Sequence, residues 1–294
     1  DIDIVLKQKS PTSNVIEDSK KIHVGKSDID MDIPINDINQ NNTYVLAIGN
    51  EDYTRYQSGL NSESNVEFAN ADAISFANYC EKTLGVPKEN ITLLTDAISS
   101  QIRREIEKLV KLSKYSEGKA EIIFYYAGHG FPDEKTKESY LMPVDISGAE
   151  VTSGIKLSEL YHKLSKYPTK RTSIFLDACF SGGGREQSLL AARGVKIVPK
   201  ENNINGNLVV FSASTGDQSS LPYADKQHGM FTYYLLKKLK ETKGVVTYGE
   251  LSEYIKSNVQ LNSIKVNNKD QNPQTLYSLE VSEQWMNWKI IDSK

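Results

Sequence analysis

The stretches AEIIFYYAGHG (residues 120–130) and RTSIFLDACFSGGG (residues 171–184) decide the fold that this sequence predicts. Each is an apolar run that ends in glycine, which is typical of a strand buried on both faces of a parallel sheet. The run YVLAIG (44–49) has the same form. A helical pattern over residues 156–168 separates the first two runs, so the segment predicts a βαβ unit with two parallel strands.

The same alternation continues in both directions along the chain. Further strands are predicted at 91–96, 206–214 and 275–281, and further helices at 63–84, 99–115, 230–244 and 248–261. This order indicates an α/β fold with a mostly parallel sheet and helices on both faces. Residues 1–43 lack sustained periodicity, and we interpret them as an N-terminal extension with one or two short strands. The main domain then covers residues 44–283, and residues 284–294 form a C-terminal tail.

The composition excludes several classes of protein. The chain has 294 residues, 38% of them hydrophobic, with a formal charge of −3. This is a globular composition, and its near-neutral charge gives no reason to expect nucleic acid as a partner. No apolar run reaches the roughly 20 residues that span a bilayer. The sequence has neither a P-loop nor a GxGxxG motif, which argues against nucleotide chemistry.

The two cysteines and the start of the chain bear on stability and on the compartment of the protein. Cys80 and Cys179 alone cannot form a disulfide framework, so stability must come from packing. The chain begins at Asp1 without Met, and we expect that a leader or an earlier segment precedes it. The sequence therefore does not decide whether the protein is secreted, periplasmic or cytoplasmic. It does not decide the oligomeric state either.

Reactive side chains of complementary type follow two of the predicted strands. His129 lies just after one strand and Cys179 just after another, and functional groups gather at the carboxyl ends of parallel strands. An imidazole next to a thiol is the usual means of generating a nucleophilic thiolate, and the pair suits acyl transfer. The backbone N–H groups of Gly130 and Cys179 would stabilise an oxyanion. A lone Cys or His at such a position is more often structural, but the two together favour catalysis.

Four motifs in combination resemble the caspase-like cysteine peptidases, in particular the metacaspase-related and bacterial kind. They are YYAGHG, LDACFSG, FANADAISFANYC and VVFSASTGDQSS followed by HGMFTYYLLKKL. The resemblance covers about residues 44–281 and implies a three-layer α/β/α sandwich with a mostly parallel central sheet of about six strands. It also implies a Cys–His dyad with Cys179 as nucleophile and His129 as general base. His23, His162, His228 and Cys80 lie outside the two motifs that carry the dyad, YYAGHG and LDACFSG, and we give each a structural or surface interpretation.

The resemblance also implies a substrate preference. Asp177 precedes the nucleophile by two residues on the same strand, so both side chains point to one face of the sheet. True caspases carry Gln here, whereas metacaspase-like members carry Asp and accept Arg or Lys. Asp72 matches a second acidic position of that pocket, and Asp217 is a third candidate. Converging carboxylates would bind a guanidinium or ammonium group by charge-assisted hydrogen bonds; the alternatives are a capping carboxylate at Asp72 and a structural one at Asp177.

Two departures from the metacaspase pattern limit what is carried over. Ala69 and Ala127 lack the polar side chains that some metacaspases present at matching pocket positions. Calcium takes 6–8 oxygen ligands, and Asp145 is an isolated carboxylate. The sequence therefore predicts no metal and no other cofactor, and calcium dependence is not implied.

The sequence thus predicts a cysteine endopeptidase that cleaves proteins or peptides after Arg or Lys. The alternatives are an Asp-specific peptidase and a catalytically silent caspase-like module that acts through protein–protein contact. About 25 residues follow the nucleophile before the next strand, and loops of this length are usually functional. True caspases are cleaved in the matching linker, so we expect self-processing here, Arg193 being the favoured site, against the alternative of an intact loop. The candidate sites are Arg185, Arg193, Lys196 and Lys200.

Overall fold

The computed structural model describes residues 26–180, 204–214 and 218–291. Its strands in chain order are β1 (Thr43–Gly49), β2 (Ile91–Thr95), β3 (Glu121–Ala127), β4 (Gly130–Pro132), β5 (Ser139–Leu141), β6 (Ile155–Lys156), β7 (Arg171–Asp177), β8 (Leu208–Ser212), β9 (Pro222–Tyr223), β10 (His228–Gly229) and β11 (Gln274–Tyr277). Its α-helices are α1 (Ala69–Lys82), α2 (Ser99–Tyr115), α3 (Leu157–Leu164), α4 (Met230–Thr242) and α5 (Tyr248–Asn267).

The central sheet of the described residues has six strands in the order β11-β8-β7-β3-β1-β2. Strands β2, β1, β3, β7 and β8 are parallel to one another, and β11 pairs antiparallel with β8 at the edge. The predicted α/β sandwich with a mostly parallel sheet is therefore confirmed. Strand β1 lies next to the edge strand β2, and the chain then continues on the other side of β1 with β3, so the strand order reverses at β1.

The sheet is buried on both faces, which explains why its strands are apolar without a break. Tyr125 of β3 packs with Phe76 of α1 and Leu235 of α4 on one face. The residues on either side of it in β3, Phe124 and Tyr126, belong to the cluster on the other face, where α2 and α3 pack. Successive residues of one strand thus enter different cores, as the two-residue period of a strand requires.

Several predicted elements differ from the observed ones at their ends. Helix α1 begins at Ala69 and not near residue 63, because Phe68 before it has a φ of 70° and breaks the helical path. Strands β3 and β7 end at Ala127 and Asp177, before the glycines that the prediction included. Helix α5 runs six residues further than predicted, to Asn267, and ends where Asn268 adopts the left-handed conformation with a φ of 52°.

Two small sheets were not predicted. Strands β4, β5 and β6 form one and β9 and β10 form the other. Each strand has only two or three residues, which is too short for a periodic pattern to show in the sequence. The first of these sheets begins at Gly130, so His129 lies in the short connection between the central sheet and β4.

The described part of the N-terminal extension, residues 26–42, packs against the helices and forms no strand, so the expected strands are wrong for this part. Ile29 is fully buried in the core on the α1 and α4 face. Its carbonyl accepts a hydrogen bond of 2.7 Å from Tyr79 Oη. Asn36 Nδ2 donates to the carbonyls of Thr83 and Lys243, so one side chain joins the ends of α1 and α4. Residues 26–42 are therefore packed against the main domain.

Replacing Ile29 with alanine tests how much this segment contributes to stability. Because the side chain is 0% exposed, we expect Ile29→Ala to lower the free energy of unfolding by about 2–5 kcal/mol. Ile35, in the same segment, is 80% exposed, and Ile35→Ala should change the free energy by no more than about 0.5 kcal/mol. Urea unfolding of the full chain measures both. Equal small effects would show that the segment is not part of the folded core.

Candidate active site

His129 and Cys179 leave the sheet from neighbouring strands at equivalent positions. In the parallel register of β3 and β7, Ala127 pairs with Asp177, and each reactive residue lies two positions further on. The two connections touch: a methyl group built on Gly130 would lie 2.7 Å from the carbonyl oxygen of Cys179 and 2.5 Å from the ring of Phe180. Glycine at position 130 is therefore what allows the loop of the histidine to lie against the loop of the cysteine.

The imidazole of His129 is oriented by a backbone carbonyl. Its Nε2 lies 2.8 Å from the carbonyl oxygen of Ser64. Because a carbonyl only accepts hydrogen bonds, Nε2 carries the proton and Nδ1 is the basic nitrogen of the neutral ring. The ring is 3% exposed and packs between Tyr53 and Phe131, with centroid distances of 4.7 Å and 5.5 Å.

Two buried tyrosines fix the backbone at His129. Tyr53 Oη accepts a hydrogen bond of 3.0 Å from the His129 N–H and donates to the carbonyl of Met142. Tyr126 Oη lies 2.9 Å from the His129 carbonyl oxygen. Burial raises the pKa of both phenols above the ordinary value, so both remain protonated donors. Gly128 has a φ of 154°, and a methyl group there would lie 2.7 Å from Tyr126 Oη, so this contact requires glycine.

Ser220 connects the cysteine to the carboxylate that precedes it on the strand. The backbone N–H of Ser220 points at Cys179 Sγ at 2.5 Å. The Ser220 hydroxyl donates to Asp177 Oδ1. Ser220 lies in the stretch STGDQSS, but its role could not be predicted, because nothing in a sequence shows which hydroxyl will face a carboxylate 43 residues away.

The carboxylates of Asp72 and Asp177 converge on the first turn of α4. Asp177 Oδ2 accepts hydrogen bonds from the N–H and the hydroxyl of Thr232, at 3.2 and 2.7 Å. Both oxygens of Asp72 accept from the N–H of Gly229, the residue before the helix. Both side chains are fully buried. Helix α4 has no acidic residue in its own first turn, so these two carboxylates complement the positive end of its dipole.

A third titratable group lies beside Asp72. His228 Nδ1 is 2.7 Å from Asp72 Oδ1, and its Nε2 is 3.1 Å from Asp30 Oδ2. Burial acts to lower the pKa of His228, but hydrogen bonds to Asp30 and Asp72 outweigh it and raise the pKa to about 9. The sequence predicted a structural or surface role for His228 and did not predict its contact with Asp72. The one feature of the sequence that could have indicated this contact is the position of His228-Gly229 directly before the helix MFTYY.

The remaining predicted residues have different outcomes. Asp217 and the four candidate processing sites lie outside the described residues; those sites are Arg185, Arg193, Lys196 and Lys200. Ala69 and Ala127 are buried in the core beside the central sheet. Cys80 is buried in α1, and burial raises the pKa of its thiol.

The described residues contain neither a metal site nor a membrane-spanning helix. Within residues 26–180, 204–214 and 218–291, His, Cys, Asp and Glu side chains form no group of three or more that could hold a metal ion. The helices in those same ranges are too short or too polar to cross a bilayer.

Known proteins share this architecture at low sequence identity. A family model for the caspase domain matches residues 42–282. A solved structure of a protein from Geobacter sulfurreducens is 17% identical and covers 80% of this chain and 93% of its own, with a TM-score of 0.58. Caspase-1 from Spodoptera frugiperda is 12% identical and covers 81% of this chain and 89% of its own, with a TM-score of 0.53. No curated protein matches the chain.

Alkylation with iodoacetamide tests the coupling of the histidine to the cysteine. We expect His129→Ala to slow the labelling of Cys179 near neutral pH by about tenfold, because it removes the imidazole that the sequence predicts as the base for the thiol. Cys80 is an internal control: its raised pKa and burial should leave it unlabelled in the folded protein. Peptide mass spectrometry reads both sites. Equal labelling rates with and without His129 would show that the imidazole does not act on the thiol.

Proposed function

Because the chain belongs to the caspase-domain family, we propose that it is a cysteine endopeptidase that cleaves peptide bonds after arginine or lysine. The observation that carries this proposal is the pairing of His129 and Cys179 at the ends of neighbouring parallel strands. A module that acts only by protein–protein contact has no need of an oriented imidazole beside a cysteine.

The proposed reaction follows from the roles of these two side chains. His129 Nδ1 removes the proton from Cys179 Sγ, and the thiolate attacks the carbonyl carbon of the substrate. The backbone N–H groups of Gly130 and Cys179 stabilise the oxyanion that forms. The imidazolium then gives its proton to the leaving amine, and water hydrolyses the thioester. The contact of Nε2 with the Ser64 carbonyl supports this assignment, because it leaves Nδ1 as the base.

The proposed preference for basic residues rests on Asp177 and Asp72, which the metacaspase-like resemblance assigns to the pocket. Their convergence on one helix end supports a shared site for a single cationic side chain. Asp177 is also tied to the nucleophile through Ser220. A bound P1 guanidinium would thus be recognised next to the reacting sulfur, which links substrate binding to catalysis.

Removing the thiol tests the proposed reaction. Cys179→Ala should abolish hydrolysis of a fluorogenic peptide with P1 arginine, whereas Cys80→Ala should retain it, because Cys80 is buried away from the dyad. Melting temperatures confirm that both proteins fold. Unchanged turnover by Cys179→Ala would exclude the proposed mechanism.

We also propose self-processing in the stretch after the nucleophile, and comparing Cys179→Ala with Cys80→Ala tests it. Incubation followed by intact-mass measurement should give fragments ending at one of the basic residues there only when Cys179 is present. Arg193 is the favoured site, because its neighbours Ala191, Ala192 and Gly194 are small. An intact chain that is fully active would contradict this part of the proposal alone.

Neutralising Asp177 tests the specificity. In Asp177→Asn the amide can still accept from Thr232 and donate to the Ser220 hydroxyl, so the fold should persist while the charge is lost. We expect kcat/KM for P1-Arg peptides to fall by the equivalent of about 2–4 kcal/mol, the cost of truncating one partner of a buried ion pair. Asp270 is exposed, and Asp270→Asn should leave kcat/KM unchanged. A preference of the unmodified protein for P1-Asp over P1-Arg would support the Asp-specific alternative.

A further inference from the structure

His228, which the proposed reaction does not use, lies between carboxylates from two separate segments. One ring nitrogen faces Asp72 of α1 at 2.7 Å, and the other faces Asp30 of the N-terminal segment at 3.1 Å. An ionised carboxylate only accepts hydrogen bonds, so a ring that contacts two of them must donate from both nitrogens. The geometry therefore describes an imidazolium, and the ring is fully buried.

A cation at this place has a direct effect on Asp72. A fully buried carboxylate is disfavoured in its charged form unless it is paired and hydrogen-bonded. Asp72 receives hydrogen bonds from the Gly229 N–H and from the His228 ring. The backbone contact orients the carboxylate, and the imidazolium also supplies the opposite charge that keeps it ionised before any substrate arrives.

Asp30 has the complementary effect on His228. It accepts from the histidine ring and from the Ser75 hydroxyl, which fixes its carboxylate against α1. In the part of the chain that the structure describes, the charged partners of His228 are Asp72 and Asp30. The neighbouring pair of Asp28 and Lys226, 2.9 Å apart, is a separate contact. The N-terminal segment thus holds the proton on a residue that touches the proposed pocket.

We propose, building on the proposed function, that His228 is a specificity-determining positioning residue. As a resident cation it keeps Asp72, the second carboxylate of the proposed P1 pocket, ionised and in place beside the start of α4, and Asp30 keeps His228 protonated. The preference for a basic P1 residue then depends on a segment that precedes the caspase-domain match, which begins at residue 42.

The proposal has a defined pH signature. With His228 present, Asp72 stays charged as the pH falls, so the affinity for a P1 cation persists on the acid side. Without the cation, the charge of the fully buried Asp72 carboxylate is no longer compensated, so its neutral form is favoured as the pH falls. The loss of affinity must therefore appear as the pH decreases, and only for a substrate that carries a charge at P1.

Steady-state kinetics from about pH 5.5 to about pH 8 measure this signature. P1-Arg and P1-citrulline peptides have nearly the same shape, but only the first is charged. For His228→Gln we expect KM of the arginine peptide to rise about tenfold toward the acid end relative to the unmodified protein, with a smaller change in kcat and no such rise for citrulline. His162 is exposed in α3, and His162→Gln is the matched control that should behave as the unmodified protein.

A second measurement stands even where His228→Gln does not fold. NMR titration of the His228 ring in the Cys179→Ala protein should show its midpoint move to lower pH in Asp30→Asn, because a carboxylate that favours the protonated ring is removed. Asp28→Asn removes the same charge from the same segment without touching the ring and should leave the midpoint in place.

The outcomes separate this proposal from the one it builds on. An equal loss for both peptides at every pH would show that His228 is merely structural and would overturn the inference, as would a His228 titration that Asp30→Asn does not move. Failure of the unmodified protein to cleave P1-Arg peptides at all would instead overturn the proposed specificity, and the pocket role of His228 with it.

Discussion

The register of β3 against β7 is the constraint on which the candidate site depends. Ala127 pairs with Asp177 across a parallel ladder, and His129 and Cys179 follow at the same distance from that pair. A slip of one residue would move one reactive group by about 3.3 Å and turn its neighbours to the opposite face of the sheet. Both strands are buried on both sides, so such a slip would move side chains from one core into the other and disrupt the packing of both. Core packing therefore fixes the relative positions of His129 and Cys179.

Buried polar contacts hold His129 in place after the end of β3. Beyond the strand ends, the positions are held by phenols and backbone groups: Tyr53 and Tyr126 hold the backbone of His129, and the Ser64 carbonyl holds its ring. These partners are buried, so their hydrogen bonds are not exchanged for water and leaving one unmade would be costly. The Ser64 carbonyl thus selects the tautomer of the His129 ring that carries its proton on Nε2.

The sequence predicted the architecture and the position of His129 and Cys179 at one edge of the sheet because both have local signals. An apolar run ending in glycine indicates a buried strand, and reactive residues just after two such runs indicate a shared edge. Helix α1 started later than its apolar spacing suggested, because the backbone conformation of Phe68 overrides the pattern. The roles of Ser220 and His228 could not be predicted, because each is defined by a partner far away in sequence; Asp72 and His228 are 156 residues apart. Polar pairings of that kind are consequences of the fold and leave no periodic trace.

The packing of residues 26–42 has a consequence for what counts as the folding unit. The recurring module of the family begins at residue 42, yet Ile29, Asn36 and Asp30 supply core, bridging and charged contacts to α1 and α4. Regions that share a core open together in native-state hydrogen exchange, since their protection reflects one cooperative event. The cooperative unit of this protein is therefore larger than the segment that the family model matches, and we expect the amides of α1 and α4 to owe part of their protection from exchange to residues 26–42.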